Sequence, residues 1–328
     1  MKTRLLPLFV PAALALMCVS MRAASAPAVK LTPIADGVRV EIGGQLFTEY
    51  LVRGGSVPYF YPVLAPDGTP LTRDFPMKKV EGEEQDHTHH RSLWFTHGAV
   101  NGVDFWQDVP KRGFVINESV EATTENGVPT IRSRNRWEAQ DKVVHCTDET
   151  RIQFRATSEG RLLDYEVTIK APADKPVVLG DTKEGSMAVR VAQWLTPSHR
   201  YQGKDSAGST GTLVNDAGVK NADVWSKKST WIDNFGTKDG KVYGIAMFDH
   251  PKNLRHPTWW HARTYGLLAA NPFGQRDFEA AEKHPAGKGD VTIPAGGSIT
   301  FRWRVYVHSG DTTAAKVAER YQEYAAGK

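Results

Sequence analysis

The sequence predicts an all-β protein, a sandwich or a barrel, with one helix at its C-terminal end. Apolar and polar residues alternate in many short segments, such as residues 38–42 and 301–307, as they do in half-buried strands. Turn-forming residues separate these segments, as at 66–68 and 238–240. Strands do not alternate with long amphipathic helices, which argues against Rossmann and TIM-barrel architectures. Many short strands with frequent turns are typical of sandwiches and barrels.

Each predicted element rests on a local pattern. Alternation also marks residues 131–137, 162–169 and 242–248, with further turns at 125–127 and 294–297. A helix is predicted after Asp311 or Thr312, either of which can cap it, because Ala314, Val317, Ala318 and Tyr321 follow at helical spacing. Residues 198–223, rich in Gly, Ser, Asp and Asn, predict a long loop of the kind that often binds ligands.

The N-terminal segment has the features of a bacterial export signal. Lys2 and Arg4 precede an apolar run over 5–19, and residues 24–26 (Ala-Ser-Ala) are a candidate cleavage site. The run is shorter than the ~20 residues of a membrane span. We therefore expect a signal peptide over 1–26, a single β-sandwich domain over 27–328, and a periplasmic or secreted location. Cleavage would leave only Cys146, so no disulfide framework is expected.

Charge and known motifs exclude several functional classes. The formal net charge of the 328 residues is +4, and basic and acidic residues are interspersed, which argues against a nucleic-acid partner. No later segment is long and apolar enough to span a membrane. The chain has no Gly-x-Ser-x-Gly elbow, P-loop or dinucleotide fingerprint, and Cys146 reads as a strand residue.

The first unusual cluster covers residues 81–106. Four of its residues are histidines, which act as acids, bases or metal ligands near neutral pH. On an extended chain, His87 and His89 would share one face and His90 the other, and the former two could chelate a metal with a distant third ligand. The alternative is a polar strand end packed against Trp94. The candidate site residues of this cluster are His89, His90, Arg91, Trp94, His97, Asp104 and Trp106.

Two further clusters follow. In residues 180–191, Glu184 stands at the mouth of an apolar strand as a candidate general acid or base, and strand parity places Arg190 on its face. The alternative is a surface turn with a solvated glutamate. Residues 249–263 contain two X-Pro steps and predict an irregular loop. Its indoles, arginines and histidines are suited to binding a sugar. The alternative is a loop whose tryptophans fill one end of the sandwich. The candidate site residues of this cluster are Arg255, His256, Trp260, His261 and Arg263, and Asn271 from the following segment 271–274 is a further candidate.

These clusters resemble a bacterial family known as "methane oxygenase PmoA-like", a domain of unknown function. The matching segments are 86–95, 101–106, 182–185, 255–263 and 271–274, and the resemblance covers nearly the whole mature chain. Thr88 and Ser92 stand where the family pattern has Pro and Gly. The oxygenase label does not fit, because the mature chain has no apolar spans. The resemblance implies a large antiparallel β-sandwich of the galactose-mutarotase-like type, with a sugar site on its concave face, and leaves the reaction open.

The sequence therefore predicts a secreted protein acting on a sugar or glycoside, as an epimerase, lyase or hydrolase. We expect Glu184 to act as base and His89 or His90 as acid, with His261 beside them in one cleft. Arg91, Arg255 and Arg263 would be fixed donors, and Trp94, Trp106 and Trp260 a stacking platform.

Two alternatives from other classes remain. A non-catalytic carbohydrate-binding protein would need the Trp and Arg residues but no poised Glu–His pair. A metal-dependent hydrolase or lyase would use His87, His89 and either Asp104 or a distant histidine. No other cofactor is expected, and the sequence does not fix the oligomeric state.

Overall fold

A computed structural model describes residues 26–327 except 158, 199, 202–203, 206–207, 280–284 and 286. Residues 1–25 of the predicted signal peptide lie outside the described residues, so its cleavage stays a prediction. No helix in the described part of the chain is long and apolar enough to cross a membrane.

The predicted fold class is confirmed, because two large antiparallel sheets dominate the chain. The strands are β1 (Val29–Ile34), β2 (Gly37–Ile42), β3 (Gln45–Leu51), β4 (Tyr59–Phe60), β5 (Leu93–His97), β6 (Gly113–Glu125), β7 (Val128–Ala139), β8 (Val144–Ala156), β9 (Gly160–Lys170), β10 (Val177–Leu179), β11 (Gly185–Arg190), β12 (Arg200–Tyr201), β13 (Lys204–Asp205), β14 (Thr212–Asn215), β15 (Lys228–Ser229), β16 (Trp231–Lys238), β17 (Lys241–Asp249), β18 (Thr258–Arg263), β19 (Leu267–Asn271), β20 (Val291–Ile293) and β21 (Ser298–Ser309). The α-helices are α1 (Gln275–Phe278) and α2 (Val317–Ala325), and short 3-10 helices cover Gln193–Leu195 and Asn221–Val224.

The two sheets stack face to face. The nine-stranded sheet has the order β1-β2-β3-β4-β5-β11-β19-β18-β15, and the eight-stranded sheet has the order β14-β16-β17-β21-β9-β8-β7-β6. Phe95 of β5 contacts Trp137, Tyr165 and Trp303 of the opposite sheet, with ring centroids 5.6–6.0 Å apart. The core therefore lies between the sheets, and residues next to Phe95 in β5 point to the outer face of the nine-stranded sheet.

The predicted strands are all present, whereas the predicted helix start and two predicted loops differ from the structure. The C-terminal helix begins at Val317, because Asp311 caps only a preceding turn and Lys316 adopts a left-handed conformation at φ 54°. The third cluster is only partly a loop, since residues 258–263 form β18. This strand is buried on both faces, so it lacks the alternation that would have revealed it. The predicted loop over 198–223 contains the edge strand β14.

Candidate functional site

A cavity of about 290 Å³ opens on the outer face of the nine-stranded sheet. All three sequence clusters contribute side chains to it. Its lining residues are His87, His89, His90, Gln107, Lys183, Glu184, His261, Arg263, Tyr265 and Leu267. The volume lies at the lower end of the range for small-molecule sites, about 300–1,000 Å³.

The register of four neighbouring strands explains where the cavity lies. Trp94 pairs with Ala188, Ala188 with Ala269, and Ala269 with His261, so these four side chains form a row on the outer face. The two central strands place only methyl groups there, between an indole and an imidazole. We conclude that the small residues of β11 and β19 leave the space that the polar side chains surround.

A turn brings the three histidines of the first cluster together. His87 has φ 45°, and its carbonyl accepts a hydrogen bond from the backbone N–H of His90 at 2.9 Å. The ring of His87 stacks on His90 with centroids 4.6 Å apart, and His89 meets His90 edge-on at 4.5 Å. The extended conformation considered from the sequence, which would send His90 to the opposite face, is therefore not adopted.

The hydrogen bonds of His90 fix its proton. Nη1 of Arg190 donates to Nδ1 of His90 at 3.0 Å, and a guanidinium has no acceptor, so Nδ1 carries no proton. Burial, and then the charge of Arg190, hold the pKa of His90 well below its usual range. The ring is therefore neutral near pH 7 and carries its proton on Nε2.

His261 has the opposite arrangement. Its Nδ1 donates to the carbonyl oxygen of Lys183 at 2.8 Å, so Nε2 holds the lone pair of the neutral ring. Burial is the main cause that lowers the pKa of His261 to about 3, while the bond to Lys183 opposes it. The cavity thus contains one fixed imidazole donor, His90, and one fixed imidazole acceptor, His261. Burial also lowers the pKa of the half-buried His89 to about 4.

Backbone contacts hold Glu184 at the cavity. The backbone N–H of Gly98 donates to the carbonyl of Glu184 at 2.7 Å, and a Cβ at Gly98 would lie 2.7 Å from the Cβ of Glu184. The side chain of Asn271 donates to the carbonyl of Thr182 at 2.9 Å. Lys183 forms an ion pair with the Glu184 carboxylate at 3.2 Å. The segment before β11 is therefore fixed on both sides, and Gly98 allows its close approach.

A charged layer lies behind the histidines. Asp86 accepts hydrogen bonds from Arg73 and from Arg190, the latter at 3.0 Å, and pairs with Nδ1 of His87 at 2.6 Å. Partial burial alone would raise the pKa of Asp86, but the bond from His87 and the two arginines lower it overall. The guanidinium of Arg190 also lies over the ring of Tyr265, 4.5 Å from its centroid. This layer orients His90 and Tyr265.

Several predicted site residues support the cavity without lining it. Trp94 and Trp106 are buried with their ring centroids 5.2 Å apart, and the ring of Trp94 stacks on that of His90 at a centroid distance of 5.3 Å. His97 is buried and donates to the carbonyl of Gly180 at 2.9 Å. Oδ1 of Asp104 accepts from the backbone N–H groups of Trp106 and Gln107, so Asp104 shapes the turn that places Gln107. The predicted stacking platform is therefore a packed support.

Other predicted residues lie away from the cavity. Arg91 donates to the carbonyl of Gly54 and lies over the ring of Tyr59, and Trp260 is fully buried. Arg255 donates to the carbonyls of Pro272 and Gly289 at 2.9 and 2.8 Å. His256 pairs with Asp249 at 2.7 Å. These side chains are directed to neighbouring loops and to the core, so the structure does not bring them to the cavity.

The sequence reasoning missed four lining residues, Gln107, Lys183, Tyr265 and Leu267. Side chains two residues apart on an extended chain share a face, so the spacing of Tyr265 from His261 and Arg263 would have indicated it. Leu267 pairs with both Arg190 and Arg263, which only the strand order reveals. Within the described residues, no group of three or more His, Cys, Asp or Glu side chains could hold a metal ion. Nothing else in the described structure tests the metal-dependent alternative, so it stays a prediction.

Comparison with solved structures gives only distant likenesses. A GH36 alpha-galactosidase from Geobacillus stearothermophilus is 11% identical, with a TM-score of 0.37 over 87% of this chain. The chain spans only 41% of that enzyme. A protein from Synechocystis matches over 88% of this chain and 98% of its own, at 10% identity and a TM-score of 0.33. A galactose mutarotase related enzyme from Lactobacillus acidophilus matches over 86% and 98%, at 10% identity and a TM-score of 0.30. Such scores support no argument about activity.

The fold and the cavity define a β-sandwich protein with a histidine-lined site on the outer face of one sheet. The chain belongs to a family of unknown function, DUF6807, whose model matches residues 37–322. The resemblance to the PmoA-like family was therefore wrong, since the family that matches is DUF6807. No curated protein matches the chain.

Proposed function

We propose that this protein is an exported enzyme that acts on a sugar or glycoside by acid–base chemistry in the histidine-lined cavity. The observation that carries the proposal is the meeting of Glu184 with His90 and His261, which have opposite proton positions, around one cavity. A base, a neutral donor and a neutral acceptor around one small ligand are the parts that proton transfer requires.

The roles follow from where the protons lie. Glu184 is the general base, which removes a proton from a hydroxyl or from a carbon of the sugar. Nε2–H of His90 donates to the oxygen on which negative charge develops, as a neutral imidazole can. Nε2 of His261 accepts a hydrogen bond from a hydroxyl and orients the ring. The lowered pKa values of His89 and His90 argue against the predicted role of either as a protonated acid near pH 7.

The shape of the site favours catalysis over simple binding. A carbohydrate-binding protein would expose aromatic faces to the sugar, but Trp94, Trp106 and Trp260 are at most 2% exposed. The volume of about 290 Å³ suits one sugar ring. The groups that reach the ligand are mostly titratable side chains, which suits proton transfer.

The direct test is a turnover survey of purified protein with monosaccharides and glycosides, followed by mass spectrometry and NMR. Glu184→Gln keeps the size of the side chain and removes the base, so we expect turnover to fall by about 10²- to 10⁴-fold. Glu319→Gln, at an exposed position of α2, is the matched control and should leave turnover unchanged. Equal turnover of wild type and Glu184→Gln would reject the proposal.

Export rests on residues 1–26. We expect the chain recovered from a bacterial periplasm to begin near residue 27, as N-terminal sequencing would show. Recovery of the cytoplasmic chain with Met1 intact would contradict export and leave the cavity chemistry untouched.

A further inference from the structure

Arg263 differs from every other charged group of the cavity lining. Lys183 and Glu184 form an ion pair at 3.2 Å, so their charges compensate. Arg263 has no carboxylate within 4.0 Å among the residues that the structure describes, and its guanidinium donates no hydrogen bond to them. The lining therefore carries one uncompensated positive charge, and that charge faces the proposed substrate.

The layer behind the lining increases this positive charge. Asp86 is a single carboxylate shared by two guanidiniums, those of Arg73 and Arg190. Arg190 has already committed its Nη1 and Nη2 groups to His90 and Asp86, so it cannot turn to a ligand without breaking both bonds. The field of this layer favours an anion in the cavity, while Arg263 is the group that can touch it.

Arg263 is held in place by an aromatic ring. Its guanidinium carbon lies 3.6 Å from the ring centroid of Trp225, and the same indole meets His261 edge-on at 5.0 Å. Stacking occupies one face of the guanidinium and leaves its N–H edges available. A planar fork of N–H donors matches the two oxygens of a carboxylate in a bidentate pair. The side chain is thus oriented before any ligand arrives.

We propose, on the basis of the proposed function, that the substrate is a sugar bearing a carboxylate, such as a hexuronic acid unit, whose carboxylate pairs with Arg263. A single accessible guanidinium compensates one negative charge, which fits a carboxylate. A phosphate group, with about two negative charges and three oxygens, would leave part of its charge unpaired. A neutral hexose would leave Arg263 without a charged partner.

Calorimetric titration of the full chain tests this inference. Methyl β-D-glucuronide and methyl β-D-galacturonide are compared with the matching neutral glycosides and with glucose 6-phosphate. We expect at least one uronide to bind about 10- to 100-fold more tightly than its neutral partner. Arg263→Gln should abolish that preference, and Arg263→Lys, which keeps the charge without the fork, should retain part of it. Arg53→Gln, at an exposed position outside the cavity lining, should change nothing.

The outcomes separate this inference from the proposed function. Equal affinity for uronides and neutral glycosides, a preference unaffected by Arg263→Gln, or tighter binding of glucose 6-phosphate than of both uronides would overturn the carboxylate inference. If the carboxylate inference failed but Glu184→Gln still lost the turnover of a neutral sugar, the proposed function would stand. If no sugar of any class bound, both would fail. Thermal unfolding of each variant checks that it is folded.

Discussion

Both sheets carry cross-strand charge pairs, such as Arg39 with Glu49 on the nine-stranded sheet, but the cavity differs from the rest of both outer faces. On the eight-stranded sheet, arginines and carboxylates pair across neighbouring strands, as Arg302 does with Glu166 at 2.6 Å and Arg132 with Glu125 at 2.5 Å. On the nine-stranded sheet, Arg263 has no carboxylate partner in the described chain. Since buried and half-buried polar groups are normally paired, the difference supports the proposal that Arg263 binds a ligand.

The C-terminal helix completes the face of the eight-stranded sheet. Tyr321 of α2 meets Phe248 edge-on, with centroids 5.9 Å apart, and Tyr306 donates to the carbonyl of Ala315 at 3.2 Å. The side chain of Arg304, paired with Asp164, lies over the ring of Tyr324. A histidine of this face is paired as well, since Nε2 of the buried His308 lies 3.0 Å from Oδ1 of Asp233. Pairing and packing therefore explain the charges of this face, whereas in the cavity Lys183 and Glu184 pair and Arg263 has no carboxylate partner in the described chain.

The largest effect expected from this contrast is on turnover. His261→Gln removes the imidazole acceptor of the cavity, and we expect turnover to fall by about 10²- to 10⁴-fold with little change in fold. His250→Gln is the matched control, because His250 lies beside Arg302 on the opposite face. Steady-state kinetics at pH 7 measure both variants. A similar loss in the two variants would remove the distinction between the faces.

The sequence predicted the fold better than the site. Alternation fixed the long strands because one side of each, such as Phe301, Trp303 and Val305 in β21, packs into the core. Composition also selected the clusters that meet at the cavity. Sequence could not decide which side chains line it, because that depends on strand order. Arg255 and Arg263 are the same residue type in the same sequence cluster. In the structure, Arg255 donates to loop carbonyls, whereas Arg263 lines the cavity.

The proton positions were equally inaccessible to sequence reasoning. His90 and His261 were both proposed as catalytic, but their tautomers depend on single contacts with Arg190 and with the carbonyl of Lys183. These partners come from distant parts of the chain. The predicted tryptophan platform was wrong for a related reason, since only packing shows that Trp94 lies beneath His90. Local pattern identifies residue types, whereas tertiary contacts decide their exposure and protonation.

The next effect is on stability and comes from His97, which lies beneath the Glu184 segment. Burial lowers its pKa to about 4 from 6.5, with the hydrogen bond to Gly180 opposing the shift. The unfolded chain therefore binds the proton more tightly, so the contribution of His97 is present above pH 6.5 and is lost as the pH falls toward 4. His97→Gln should reduce the loss of unfolding free energy between pH 7 and 4 by about 3 kcal/mol.

Denaturant unfolding at several pH values measures this difference. His308→Gln is the comparison on the opposite sheet, where removal of the buried partner of Asp233 predicts a loss of stability at pH 7. Identical pH profiles for wild type and His97→Gln would show that the buried imidazole does not titrate as its surroundings imply.

The smallest effect should come from the charge pairs of the eight-stranded sheet. Arg302 and Glu166 are each 33% exposed, so water and salt screen their attraction. A double-mutant cycle with Arg302→Gln and Glu166→Gln should give a coupling free energy of at most about 1 kcal/mol, smaller still in high salt. Turnover should not change, because both side chains already have partners and neither reaches the cavity. A loss of turnover in either variant would mean that this face also participates in function, and the contrast with the nine-stranded sheet would no longer identify the site.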